Sequence, residues 1–266
     1  MKIIRPYAKL LPLPGCTSGI GTFDEKMGLE LLKRIEWSAR ISHRTEDSPS
    51  VTDASWERFI KAVVLDHGDW SVVEHAVVSV DAVMDRGITH EWVRHRLFGF
   101  TQQSTRFVNH AKKLPPSFIY PQVEVECEHC LRGEESQPPM GQDPIGCIGW
   151  YHDKPLELLA PLCAYHPAWL YAVQTSEDNY RNLLDVGWRP QEARSVFPNA
   201  LSSRIVTTGN LRNWRHFLIM RTCAEAHPQM RQLTVPLLKE FQVNIPLLFD
   251  DIEPGEKQSS AIQKAR

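Results

Sequence analysis

Apolar positions along the chain switch between helical and strand spacing, and the switches outline its elements. Residues 25 to 41, EKMGLELLKRIEWSARI, place Leu29, Leu31, Leu32, Ile35 and Trp37 at helical spacing, and 54 to 67 repeat the pattern behind a Ser/Thr/Asp-rich start. His75 to Met84, HAVVSVDAVM, alternates Val with Ser79 and Asp81, which predicts a half-buried strand. Gly87 then turns the chain into a further helical stretch, ITHEWVRHRLF. From about 121 to 152 periodicity disappears in a Pro- and Gly-rich, charged segment that reads as an inserted loop. Helical spacing returns over 153 to 187, Gly187 and Pro190 punctuate, and a short helix QEARSVF follows. LSSRIVTT, 201 to 208, predicts a strand ended by Gly209, with Asn210 as N-cap of a helix NLRNWRHFLIMRT. A last apolar helix, QMRQLTVPLLKEFQ, is expected to be interrupted or kinked at Pro236, and the polar tail after about 252 to fray. The expectation is a single domain over 1–266 with one insert.

Composition narrows the class. With 42% hydrophobic residues in 266, the chain can bury a sizeable core. The 30 Lys+Arg nearly balance the 32 Asp+Glu, so nothing points to nucleic acid or an anionic membrane as partner. The start, MKIIRPYAKLLPLPG, is broken by Pro12 and Pro14 and has no small-residue cleavage site, and no run of about 18 apolar residues exists. A cytoplasmic protein is expected. Cys127, Cys130, Cys147 and Cys163 cluster in one region, which in a reducing compartment suggests metal or no bond at all.

The densest cationic signal is RHRLFGFTQQSTRF, with Arg94, His95 and Arg96 followed by Ser104 and Arg106. On a helix the first three would point in different directions and address two ligands, while the hydroxyl and Arg fork beyond suit a phosphate. Charge runs are commonly solvated faces. Here Trp92, Val93, Leu97, Phe98 and Phe100 flank the cations and argue against simple surface decoration.

RHR, seven residues, then Ser-x-Arg is similar to the signature of flavin-dependent thymidylate synthases. ARISHR (39 to 44), GDWSVVEHAVVSV (68 to 80) and EARSVFPNALSSRIVTTGNLRNWRHFLIMRT (192 to 222) resemble further family segments. The resemblance implies an α+β fold, with a central mixed or antiparallel sheet flanked by helices, assembled as a homotetramer with sites at subunit interfaces. It implies FAD as cofactor, with NADPH and methylenetetrahydrofolate as co-substrates, in the reductive C5-methylation of a uridine monophosphate, dUMP to dTMP. By the same resemblance Ser71, Arg94, His95, Arg96, Asn210 and His216 lie against FAD. Glu91, Arg94, Gln102, Ser104, Arg106, Arg194 and Arg221 hold the nucleotide, and Arg221 is the catalytic residue placed against the uracil ring. No protein nucleophile is implied. Cys223, two residues from Arg221, lacks the surroundings of a nucleophile and reads as a buried structural thiol.

The chain departs from the family pattern in a paired way, since Glu91 stands where Gln is usual and Gln102 where Glu is usual. If the two side chains face one another, the exchange is neutral. If they contact different parts of the nucleotide, recognition of sugar or base changes, and UMP or another pyrimidine nucleotide becomes the substrate. Asp69 and Glu225 replace family His residues at the flavin edge. Cys127-x2-Cys130 with Cys147 and either His152 or Cys163 could form a tetrahedral zinc site, but the second half makes no matching pair, so no metal ligand is assigned. A zinc-knob binding module on a degenerate scaffold is the reading from another class. Glu74 and His75 either shape the flavin pocket or serve structure, and Trp92 and Trp214 read as core.

Overall fold

The computed structural model describes residues 2–13, 21–110, 115–121 and 166–264. The expected insert at about 121–152, with Cys127, Cys130, Cys147 and His152, lies outside them from 122 onward, as does Cys163. The chain divides into two compact units, one made of Met1–Arg5, Asp85–Gly87 and Ser104–Ser202, the other of Pro6–Met84, Ile88–Gln103 and Ser203–Arg266. Strands are β1 (Lys2–Ile4), β2 (Tyr7–Leu10), β3 (Val77–Asp85), β4 (Gly99–Gln102), β5 (Ser117–Ile119) and β6 (Ser202–Asn210). Helices are α1 (Glu25–Arg40), α2 (Ser55–Phe59, continued in π geometry through Asp66), α3 (Arg86–Trp92), α4 (His166–Asp185), α5 (Pro190–Ala193), α6 (Leu211–Thr222), α7 (Pro228–Asn244) and α8 (Gln258–Lys264). The fold is α+β. Among the described residues no helix is long and apolar enough to cross a membrane.

In the second unit a four-stranded sheet runs in the order β2-β3-β6-β4, with β2 antiparallel to β3 and β4 antiparallel to β6. Along β6 the buried positions Ser203, Ile205, Thr207 and Gly209 alternate with more exposed ones, the period of a sheet with one covered face. The cover is helical: α1, α6 and α7 bury Leu32, Ile35, Trp214, Leu218, Leu237 and Phe241 with Val80 and Trp92. Each such side chain contributes about 1.5–3 kcal/mol of transfer free energy. Asp24 caps α1 by accepting from the Met27 N–H at 2.9 Å. A Cβ at Gly28 would strike the backbone oxygen of Asn244, so this glycine lets α1 and α7 approach closely.

The first unit is smaller. Here β1 pairs parallel with β5, and Phe118, Val173 and Leu201 form its core. Tyr180 of α4 stacks on Phe197 with centroids 4.5 Å apart. Gly187 takes φ +98°, a backbone region glycine enters without steric cost, where the chain leaves α4 for α5.

Several boundaries differ from the sequence expectation. The helix predicted through ITHEWVRHRLF stops at Trp92, and residues 93–98 form turns before β4. The reason is tertiary: the Phe98 ring seats against Gly209, where no Cβ stands in its way, and joins Trp214, Phe217 and Phe100. β6 continues past Gly209 to Asn210. α7 runs on through Pro236, held by the buried Leu233, Leu237 and Leu238 despite the roughly 3 kcal/mol an interior proline costs. The tail forms α8, tethered by Gly255 N–H to Thr222 O at 2.8 Å and Ala224 N–H to Glu256 O at 3.0 Å.

Candidate active site

The signature cations sit in the turn after α3 rather than on the helix, closed by Arg94 N–H to Glu91 O and His95 N–H to Trp92 O. Arg94 and Arg96 are exposed, and among the described residues neither guanidinium is engaged. His95 turns inward: its ring meets Phe217 edge-on at 4.7 Å, with Phe98 at 6.5 Å and His216 at 6.2 Å. α6 begins at Asn210, whose side-chain oxygen accepts from the Asn213 N–H at 2.8 Å, and it delivers Arg221 in its last turn. Arg221 Nε–H donates to His95 Nε2 at 2.9 Å, while its terminal nitrogens donate to the Glu91 carboxylate at 3.1 Å and the Glu91 carbonyl at 3.3 Å. Burial, then the charges of Arg221 and His216, push the His95 pKa down to about 4.

Glu91 and Gln102 take separate hydrogen-bond partners. The Glu91 carboxylate is bound to Arg221, and Gln102 Nε2 donates to Ser203 Oγ at 3.0 Å. Ser71 is exposed on the short helix Trp70–His75, and His216 is exposed on α6. Glu74 pairs with Arg212 at 2.6 Å and His75 faces solvent. Trp92 and Trp214 are core residues, with indole N–H groups donating to Thr207 Oγ1 and Val78 O. Cys223 is buried, as a structural thiol would be.

In the first unit, Ser104 Oγ accepts from the N–H groups of Arg106 at 3.1 Å and Phe107 at 3.4 Å. Gln191, absent from the expected set, braces both arginines: Arg106 Nε donates to its side-chain oxygen and Arg194 Nε to its carbonyl, each at 3.1 Å. Arg194 also donates to Thr105 Oγ1 at 2.8 Å. An open pocket of about 440 Å³ is lined by Arg86, Thr105, Gln191, Arg194 and Ser195 among others. Burial and the neighbouring Arg194 lower the pKa of Arg86, the cost of two cations sharing one pocket. Thr105 lies inside the Ser-x-Arg signature and Gln191 three residues before Arg194, so both could have been suspected; Arg86 had no local signal.

A family model described as thymidylate synthase complementing protein matches residues 29–247. The flavin-dependent thymidylate synthase of Mycobacterium sp. (strain KMS) is 32% identical over 222 residues, covering 82% of this chain and 79% of the relative. The proteins of that name from Corynebacterium aurimucosum and Corynebacterium glutamicum are 30% and 31% identical, each covering 82% of this chain and 78% of the relative. The match takes in the signature turn, the helix that carries Arg221 and the Arg194 segment together, and on that extent the chain belongs to the flavin-dependent thymidylate synthase family.

Proposed function

We propose that this enzyme methylates C5 of a uridine monophosphate, converting dUMP to dTMP, with methylenetetrahydrofolate as carbon donor and NADPH as reductant, in the cytoplasm and as a homotetramer. The observation that carries the reading is the Arg221 guanidinium, braced at three points beside the signature histidine. A fixed cation stabilises negative charge that develops on the base as C5 becomes nucleophilic. Because it is already oriented, little reorganisation is needed during reaction.

The donors on this chain suit FAD. Arg94 and Arg96 are exposed and unengaged among the described residues, which fits a diphosphate, and Ser71, Asn210 and His216 add polar groups. With Nε2 occupied by Arg221, His95 offers its Nδ1–H to a ligand. Bound flavin supplies the reducing equivalents that complete the methyl group. For the nucleotide phosphate, Ser104 and Thr105 accept hydrogen bonds through oxygen and keep their protons to donate, and Arg106, Arg194 and Arg86 supply charge.

The separate partners of Glu91 and Gln102 favour a second reading, in which the exchange alters recognition of the sugar and UMP is accepted. One experiment addresses both. Purified protein should show flavin absorbance, and dUMP and UMP are compared as substrates with methylenetetrahydrofolate and NADPH. Arg221→Ala should abolish methylation with FAD still bound. Protein without FAD affinity, or an active Arg221→Ala variant, refutes the proposal; preferential turnover of UMP selects the second reading.

A further inference from the structure

Arg221 has five N–H donors, and this chain takes one with His95 and two with Glu91. The two acceptors differ in kind. A carboxylate orients a guanidinium and offsets its charge, whereas a neutral imidazole orients it and leaves the charge intact. Because His95 Nε2 accepts, it carries no proton, and the ring is the Nδ1–H tautomer. The ring cannot swing freely, since Phe217 lies edge-on at 4.7 Å and Phe98 and His216 flank it. The charged and titratable groups facing it are Arg221 and His216, both on α6, while the Glu91 carboxylate of α3 is bound to Arg221.

We propose that His95 is the positioning residue of Arg221: a neutral, aromatic-clamped acceptor that fixes the guanidinium without offsetting its charge further than the Glu91 carboxylate already does. This role is additional to any contact His95 makes with FAD, and it rests on the assignment of Arg221 to the base. The geometry also separates the two roles chemically. His95→Gln can present an acceptor oxygen near the place of Nε2, but its amide N–H groups do not occupy the ring position of Nδ1–H.

The test uses FAD-loaded enzyme, with dUMP affinity and kcat measured for wild type, His95→Ala, His95→Gln, Arg221→Ala and the double variant His95→Ala/Arg221→Ala. Misplacing a catalytic group by about 1 Å costs on the order of 100-fold, so His95→Ala should lower kcat by roughly 10- to 100-fold. His95→Gln should recover most of that loss. Adding His95→Ala to Arg221→Ala should weaken dUMP binding no further, because the residue acts through Arg221. Independent, multiplying losses overturn the inference, and so does wild-type kcat in His95→Ala. An active Arg221→Ala variant overturns the base assignment instead. If His95→Ala does not load FAD, the ¹⁵N shifts of wild-type His95 decide: a protonated Nε2 at pH 7.5 refutes the role.

Discussion

Acidification should weaken the fold through His95 well before most carboxylates titrate. The pKa of this ring is lowered from 6.5 to about 4 in the folded protein, so as pH falls the unfolded chain takes up the proton first. Its contribution is therefore fully present above pH 6.5 and is lost progressively as pH falls toward 4. Linkage between pH 8 and pH 5 gives about 2 kcal/mol, and solvent screening of a half-buried ring reduces this to about 1 kcal/mol. The protonation step also replaces the Arg221–His95 hydrogen bond with two facing cations, so nucleotide binding should weaken in the same window. The assay is urea unfolding of wild type and His95→Gln at pH 8, 6.5 and 5, read as the difference in their pH slopes, since the other histidines are common to both. Imidazole NMR should show a His95 resonance unprotonated at pH 5.5. Equal slopes in the two proteins, or His95 titrating near 6.5, would refute the reasoning.

Three substitutions test other parts of the structure. Gly209→Ala puts a Cβ into the Phe98 ring and should destabilise by about 1–3 kcal/mol while weakening FAD binding, measured by urea midpoint and flavin titration; wild-type values for both would show that Phe98 does not hold the signature turn. Gly28→Ala meets the rigid backbone oxygen of Asn244 and should cost at least about 2 kcal/mol, seen as a lower thermal midpoint with residual activity per folded molecule unchanged. Arg86→Gln should weaken dUMP binding about tenfold or more while leaving the affinity for deoxyuridine unchanged, as expected for a lost charge-assisted contact to phosphate; equal loss for both ligands would place Arg86 outside the phosphate pocket.

Much of the local structure was legible in the sequence because local interactions create it. The apolar stripe of 25–41 became α1, the alternation in HAVVSVDAVM became β3, and Asn210 capped α6. The family itself was likewise legible, since the residue types and spacing of the signature carry that information without coordinates.

What periodicity missed depends on partners far away in the chain. The pattern allowed α3 to continue through the signature, and only the space over Gly209 for the Phe98 ring explains why it stops at Trp92. The sequence raised the Glu91 and Gln102 exchange but could not say whether the two meet; Arg221, 130 positions from Glu91, and Ser203 take one each. Gln191 and Arg86 come beside Arg106 and Arg194 only through folding of the first unit. Helix caps and apolar faces act over a few residues, so sequence by itself determined the longer helices, the strands β3 and β6 and the inventory of reactive side chains, whereas the short strands β1, β2, β4 and β5 carry no such pattern. Hydrogen bonds between distant segments have no local pattern, so tertiary structure alone decided which acceptor orients Arg221 and which groups share its charge.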